Sequence, residues 1–276
     1  MTNKRTQKIL YLGDWVIHLG PTYVESPFGG HMKGTDIFFY GERLVKALES
    51  SGEFRVTSLA SWDIYNSPPG RYEDLLATHK IVIISDVTAS CMHLRPQFFK
   101  RDYHQGRDVL VLPDRLRLTK DWIAAGGGMM MLGGWSSFSG HMGKGAWGRT
   151  CMAEVLPVEC LATDDLVESS EGYDIVVKNS RHPITKGLPW RSFKQILGYN
   201  ETRPKAGTDV LVEVKETSHP LLVCHTFGKG RVAVYTSDPV PHWGHNFSRW
   251  SGYDRFWLQM AKWALGASNE NRGSLS

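Results

Sequence analysis

The sequence has no long apolar run, no long basic run and few cysteines. Its 276 residues include four cysteines, which are scattered without the short spacings of metal-binding or redox pairs. No stretch of about 18 apolar residues occurs, so the sequence predicts no transmembrane helix. The formal net charge is +4, with no basic cluster, and this gives no support to nucleic-acid binding.

These absences also lead to an expectation about the cell compartment. The apolar stretch that ends at Gly13 is shorter than a signal-peptide core, and no small-residue cleavage site follows it. Scattered thiols in a chain of this size are typical of a reducing environment. The sequence therefore predicts a cytoplasmic protein with neither a membrane nor a nucleic-acid partner, and we expect no cofactor.

Short apolar runs alternate with stretches of helical periodicity in the first half of the chain. The predicted strands cover residues 8–14, 54–59, 80–85 and 129–132, and the predicted helices cover 36–49, 72–78 and 113–125. Continuously apolar strands between helices indicate a parallel sheet covered on both faces. The second half contains more strands, predicted at 173–177, 209–214, 221–227 and 231–236.

The chain closes with a predicted helix over residues 249–265. One stripe of this helix carries Trp250, Tyr253, Trp257, Met260 and Ala264. We expect this stripe to pack against the sheet, and an oligomer interface is the alternative. The fold class predicted is α/β: one domain over residues 1–267 with a mainly parallel sheet, additional strands in the C-terminal half, and a flexible tail at 268–276.

Acidic residues follow three of the predicted core strands. Asp14, Asp86 and Asp238 each stand at or just beyond a strand's carboxyl end, where open parallel sheets bind ligands. An aspartate beside an apolar strand needs a polar partner, so two or more of them can line one site. The alternative is that each caps the following helix or turn.

Two glycine-containing segments are candidates for the walls of such a site. Residues 29–36 are predicted to open the first helix, where His31 and Lys33 would add positive charge. Their spacing matches neither of the common nucleotide-binding fingerprints. Gly134, Trp135 and Ser136 occupy the sharp turn after the fourth strand, where α/β hydrolases place a nucleophile. Trp135 is the predicted residue at this bend and cannot attack a carbonyl group, whereas Ser136 is the alternative nucleophile.

A histidine-rich segment follows the last long strand. His242 could act as a general base oriented by Asp238, and Asp14 could take part in the same acid–base chemistry. A partial metal site with His245 is the alternative, but a fourth ligand is missing, so we predict no metal. Phe138, Trp135 and Trp243 would supply apolar walls that suit a carbohydrate ring.

Several motifs together resemble one family. The most specific are residues 126–138 (GGGMMMLGGWSSF), 182–189 (HPITKGLP), 228–232 (GKGRV), 236–244 (TSDPVPHWG) and 252–257 (GYDRFW). They are similar to the class I glutamine amidotransferase-like proteins, which are related to trehalose-utilisation-like proteins. The likeness covers nearly the whole chain and implies a flavodoxin-like three-layer sandwich.

The resemblance also implies where catalytic residues would stand. In working class I amidotransferases a cysteine occupies the bend, where this chain has Trp135. Their histidine follows the last core strand, near His242, and their acid lies two residues later, where this chain has Gly244. Two of the three roles are unfilled, so we do not expect glutamine hydrolysis.

Three functions remain open from the sequence. The first is a protein without glutaminase activity that binds a small polar, sugar-like molecule at the strand ends, with Asp86 among the contacts. The second is a hydrolase or amidotransferase that uses Ser136 or a cysteine from a loop. The third is a catalytically silent module that assembles into a homo-oligomer.

Overall fold

The computed structural model describes residues 6–26, 29–99 and 111–266, with the backbone alone for 18–26 and 29–35. The predicted tail at 268–276 lies outside these ranges. Within them, no helix combines the length and apolarity needed to cross a membrane.

An eight-stranded sheet forms the centre of the protein, in the order β4-β1-β5-β6-β14-β13-β12-β9. The strands from β4 to β14 in this order run parallel, and the remaining pairs are antiparallel. The strands are β1 (Gln7–Gly13), β4 (Phe54–Leu59), β5 (Ile81–Ser85), β6 (Gly128–Leu132), β9 (Ile175–Val177), β12 (Asp209–Val214), β13 (Pro220–Phe227) and β14 (Gly230–Tyr235). The mainly parallel α/β sheet predicted from the sequence is confirmed.

Three smaller two-stranded sheets accompany the main sheet. They pair β2 (Trp15–Ser26) with β3 (Gly29–Phe39), β7 (Val158–Cys160) with β11 (Thr202–Pro204), and β8 (Leu166–Tyr173) with β10 (Ile196–Asn200). The strand predicted over 173–177 is in fact the last residue of β8 and the whole of β9, because Asp174 separates them.

Helices cover both faces of the main sheet. They are α1 (Glu42–Glu49), α2 (Ser61–Tyr65), α3 (Arg71–Thr78), α4 (Ala89–His93), α5 (Arg115–Ala124), α6 (Met152–Val155) and α7 (Tyr253–Ala264). Helices α1 and α7 pack on one face and the others on the opposite face, so two apolar cores enclose the sheet. This is the three-layer, flavodoxin-like arrangement that the family resemblance implied.

Local sequence signals explain several of these boundaries. Asp114 precedes α5, and its side chain accepts a hydrogen bond from the Leu116 amide at 2.9 Å, which satisfies one free donor of the first turn. The two-residue turn Gly228-Lys229 joins β13 to β14, with Phe227 paired to Gly230. The predicted aromatic stripe is buried in the core with α1, as expected, although the helix begins at Tyr253 and Trp250 precedes it.

The helix predicted over 36–49 is wrong in its first part. Residues 36–39 belong to β3, and the helix begins at Glu42. The segment at 29–36 therefore forms a strand of a long hairpin and does not open a helix. Cross-strand pairing, such as that of Ile17 with Ile37, prevails over the helical spacing of Ile37 and Tyr40, and Tyr40 follows the end of β3.

Candidate functional site

The first strand ends in a tight backbone turn that directs Asp14 inward. Gly13 has φ 116°, and a β-carbon there would lie 1.7 Å from the Ser85 carbonyl oxygen, so only glycine fits beside the end of β5. Asp14 itself has φ 56° and is almost fully buried. Its carboxylate accepts hydrogen bonds from the Tyr11 hydroxyl and, at 3.1 Å, from the Ser85 hydroxyl.

Asp86 follows β5 and links that strand end to the bend after β6. Its carboxylate accepts a hydrogen bond from the Ser136 amide at 2.5 Å. The Asp86 amide donates in turn to the Ser137 hydroxyl at 3.0 Å. Asp86 has φ 51°, a left-handed conformation that non-glycine residues seldom adopt.

Asp238 and His242 follow β14. Asp238 is buried, and its Oδ1 accepts a hydrogen bond from the Val240 amide at 3.0 Å. Its Oδ2 lies 3.4 Å from His242 Nδ1, a charge contact slightly longer than an ordinary hydrogen bond. His242 has φ 146°, a conformation that is strained for any residue with a side chain.

We call Asp14, Asp86, Asp238 and His242 the strand-end cluster, and its members influence one another electrostatically. Burial raises the pKa of Asp14 well above its usual range, and the neighbouring Asp238 raises it further. Burial likewise raises the pKa of Asp86, and it raises the pKa of Asp238 to about 6. Contact with Asp238 raises the pKa of His242. Burial and mutual charge therefore favour the protonated forms of the three acids and of His242.

Trp135 stands at the bend after β6, next to the strand-end cluster. Its side chain is 47% exposed. The ring stacks on His141 at a centroid distance of 5.2 Å and presents an edge contact to His242 at 5.9 Å. The backbone of Gly134, just before it, is bonded to the Asn200 side chain through both its N–H (3.0 Å) and its carbonyl oxygen (3.1 Å). Gly134 therefore fixes the bend to β10.

The other residues that the sequence suggested lie in different surroundings. Phe138 is fully buried in the core on the α5 face, so it packs beneath the bend and forms no wall of the cluster. Trp243 is also buried, and its ring stacks against His242 at 5.2 Å. His31 and Lys33 lie on β3, but their side chains are outside the described residues.

Glu168, on β8, is a residue of this region that the sequence did not reveal. Its Oε1 accepts hydrogen bonds from the indole N–H groups of Trp243 (2.7 Å) and Trp135 (3.2 Å). The same oxygen lies 3.7 Å from His242 Nε2. Glu168 stands in the polar run LVESSEGY, without a strand-end position or a motif, and no local signal could have singled it out.

Cys224 is the one cysteine in the described ranges that contacts a histidine, and that histidine is His182. Sγ and Nε2 are 3.7 Å apart, and Asp209 completes a group of three potential metal ligands. However, His182 Nδ1 accepts a hydrogen bond from the Ile184 amide at 3.2 Å, so Nε2 keeps its proton and has no lone pair for a metal. Burial raises the pKa of the Cys224 thiol to about 12, which leaves it unreactive.

A family model described as "Putative glutamine amidotransferase" matches residues 17–265. The chain belongs to this glutamine amidotransferase-like family. The family resemblance inferred from the sequence motifs is thereby confirmed. None of the curated proteins is significantly similar to the chain.

Solved structures with the same fold support this assignment. The cytoplasmic protein STM1381 of Salmonella typhimurium LT2 is 30% identical, with a TM-score of 0.79 over 94% of this chain and 99% of that one. The cytoplasmic protein STM3548 of Salmonella typhimurium is 25% identical, with a TM-score of 0.79 over 93% and 98%. A ThuA-like protein of Parabacteroides merdae, 14% identical, has a TM-score of 0.50 over 95% and 90%, and this likeness shows the fold alone.

Proposed function

We propose that the strand-end cluster binds a small polar ligand of the polyhydroxy, sugar-like class and exchanges protons with it through Asp238 and His242. The observation that carries this proposal is that Asp14, Asp86 and Asp238 come together from the ends of three separate strands, and that Asp86 and Asp238 also act on the His242 imidazole. Asp86 and Asp238 both raise the pKa of Asp14, and Asp86 also raises the pKa of Asp238.

The chemistry of the surrounding side chains favours a neutral ligand. Carboxyl groups can accept hydrogen bonds from several hydroxyl groups, and an exposed indole such as Trp135 can cover the apolar face of a sugar ring. The nearby carboxylate of Glu168 adds negative charge, so a phosphorylated ligand would be repelled. The proposed ligand class, a neutral polyhydroxy compound, therefore rests on the carboxyl groups as hydrogen-bond acceptors and on the exposed indole of Trp135.

Backbone strain supports a functional role for the cluster. Asp14, Asp86 and His242 all have positive φ values. Each such conformation costs on the order of 1–3 kcal/mol and is found preferentially at active and binding sites. A purely structural turn could be built more cheaply with glycine or asparagine.

We further propose that the chain does not hydrolyse glutamine. Trp135 occupies the bend beside His242, and an indole is no nucleophile. A side chain at Gly244 would place its β-carbon 2.2 Å from the Asp238 carbonyl oxygen, so no acid fits two residues after His242. Within the described ranges, Ser136 has no hydrogen bond to a histidine, and Cys224 contacts His182 instead.

Calorimetric titration of the purified protein with neutral sugars and polyols, phosphorylated sugars and amino acids tests the proposed ligand class. We expect a neutral polyhydroxy compound to bind and its phosphorylated counterpart to bind at least about tenfold more weakly. Asp14→Asn and His242→Ala should weaken binding without unfolding the chain. The control is Asp121→Asn on the exposed surface of α5, which should bind normally. Equal binding by all three variants, or release of glutamate from glutamine, would overturn the proposal.

Homo-oligomer assembly and a cytoplasmic location are proposals with separate support. Ile17 and Ile37 form a cross-strand pair of the β2–β3 hairpin, and both are exposed, Ile37 by 57%. A two-stranded hairpin by itself is marginally stable in water, so contact with a second copy would cover it. Light scattering of the wild type and of Ile37→Asp tests this: we expect the variant to dissociate, and a monomeric wild type would contradict assembly.

The two Salmonella relatives are named cytoplasmic proteins, which supports the proposed cytoplasmic location of this chain.

A further inference from the structure

Glu168 reaches the strand-end cluster from outside the main sheet. It lies on β8, where it is the cross-strand partner of Gly198 on β10. Its side chain is 45% exposed, yet one of its oxygens meets Trp135, Trp243 and His242. A half-exposed glutamate normally stays solvated and mobile, because ordering it costs side-chain entropy. Two indole donors converging on the same oxygen fix this carboxylate in place.

The two ring nitrogens of His242 both face carboxylate oxygens. Nδ1 lies 3.4 Å from Asp238 Oδ2, and Nε2 lies 3.7 Å from Glu168 Oε1. A neutral imidazole carries one N–H and one lone pair, so one of its nitrogens would present a lone pair to a negatively charged oxygen. The imidazolium form donates at both nitrogens and matches both partners.

We propose that Glu168 is a positioning residue of the strand-end cluster: together with Asp238 it holds His242 in the imidazolium form, with a proton on Nε2, and it holds the Trp135 indole beside that proton. This inference deepens the proposed ligand site and rests on it. His242 then offers a hydrogen-bond donor to the ligand, so an oxygen acceptor of the ligand would contact Nε2. The indole of Trp135 closes one side of the same space.

The charged groups that face His242 come from three elements of the fold. Asp238 precedes it in the same loop, Glu168 lies on β8, and Asp86 follows β5. All three are acids and favour the protonated ring. Among the residues that the structure describes, Glu168 alone places a charged atom near Nε2. Its removal therefore leaves the Asp238 contact with Nδ1 intact and changes the surroundings of Nε2.

A histidine titration followed by NMR on the ligand-free full chain tests the role of Glu168. Glu168→Gln removes the charge but keeps an acceptor oxygen for both indoles, and Glu168→Ala removes both. Glu171→Gln is the matched control, because Glu171 is an exposed glutamate on the same strand. The His242 signal is assigned by its loss in His242→Asn.

We expect the titration midpoint of His242 to fall by about half a pH unit in both Glu168 variants and to stay unchanged in Glu171→Gln. The indole N–H signals of Trp135 and Trp243 should move far more in Glu168→Ala than in Glu168→Gln. An unchanged midpoint in both Glu168 variants would overturn the proposal, as would an equal fall in the control. No ligand is needed, so this result is independent of whether the sugar-binding proposal holds.

Discussion

Two regions of this protein place a histidine against a tryptophan, with opposite consequences. On the α7 face, His182 lies 5.7 Å from the ring of Trp263, and burial lowers the pKa of His182. At the strand ends, His242 lies 5.9 Å from Trp135, and Asp238 raises the pKa of His242. His242 also stacks on Trp243 at 5.2 Å. Both histidines therefore have indole neighbours, and an indole neighbour by itself does not decide the protonation state of the imidazole.

The difference comes from the polar partners of each ring. His182 accepts a backbone N–H and faces a thiol, which together favour the neutral form. His242 faces carboxylates at both nitrogens, which favour the charged form. The same two residue types therefore serve packing in one region and proton chemistry in the other, and four experiments can test this division.

The largest expected effect is on stability and concerns tryptophans. Trp257 is fully buried on the α7 face, so Trp257→Ala should lower the free energy of unfolding by about 3–5 kcal/mol. Trp135→Ala, at the half-exposed bend, should cost less than about 1 kcal/mol. Urea denaturation of both variants measures the difference, and comparable losses would show that Trp135 is also a core residue.

The second effect concerns backbone strain at His242. Glycine tolerates φ 146°, whereas alanine does not, and neither carries the imidazole. His242→Gly should therefore be more stable than His242→Ala by roughly 1–3 kcal/mol. The same pair of substitutions at His182, where φ is not positive, should favour alanine. Equal stabilities of the two His242 variants in urea denaturation would show that the turn relaxes without cost.

The third effect is a pH dependence of opposite sign in the two regions. The folded pKa of Asp238, about 6, exceeds its ordinary value of 3.8, so between these values the folded state holds a proton that the unfolded state has released. Stability from this group therefore falls as pH rises from about 4 to 6. The raised pKa of His242 gives stability below pH 6.5 that is lost as pH rises through the folded pKa. The lowered pKa of His182 makes stability fall as pH drops below 6.5.

Denaturation between pH 4 and 8 measures these contributions. Asp238→Asn should flatten the loss of stability with rising pH, since it removes the acid and weakens the hold on the His242 proton. His182→Asn should instead remove part of the loss of stability at acidic pH. If both variants changed the free energy of unfolding over the same pH range, the two histidines would not differ as inferred.

The smallest expected effect is on the chemical reactivity of the Cys224 thiol. With its thiol pKa raised to about 12 by burial, Cys224 should not react with iodoacetamide in the folded protein at pH 8, and it should react once the chain is unfolded. Mass spectrometry of the labelled peptide measures this. Rapid labelling in the folded state would mean that the His182 region carries a reactive thiol after all.

Much of the fold was predictable because its signals are local. Residues 54–59 and 209–214 were predicted as strands and are β4 and β12 with the same bounds, since continuous or alternating apolar runs determine them. The β2–β3 hairpin was missed because Ile37 and Tyr40 stand at helical spacing, although Ile37 belongs to β3 and Tyr40 follows it. Strand β8 was missed over most of its length because its largely exposed, polar residues carry little periodicity. Strand β10 was also missed, although four of its five residues are buried.

The acids at the ends of β1, β5 and β14 were identifiable in the sequence, because parallel strands bring their carboxyl ends to one edge. Their mutual charge effects, the strained turn at His242 and the burial of Phe138 depend on packing between distant segments. The contact of Glu168 with His242 joins residues 74 positions apart and has no local signature. The sequence by itself determined the sheet and the position of its acids, whereas only the tertiary structure decided which carboxylates surround the imidazole, because charge interactions depend on distance in space and not along the chain.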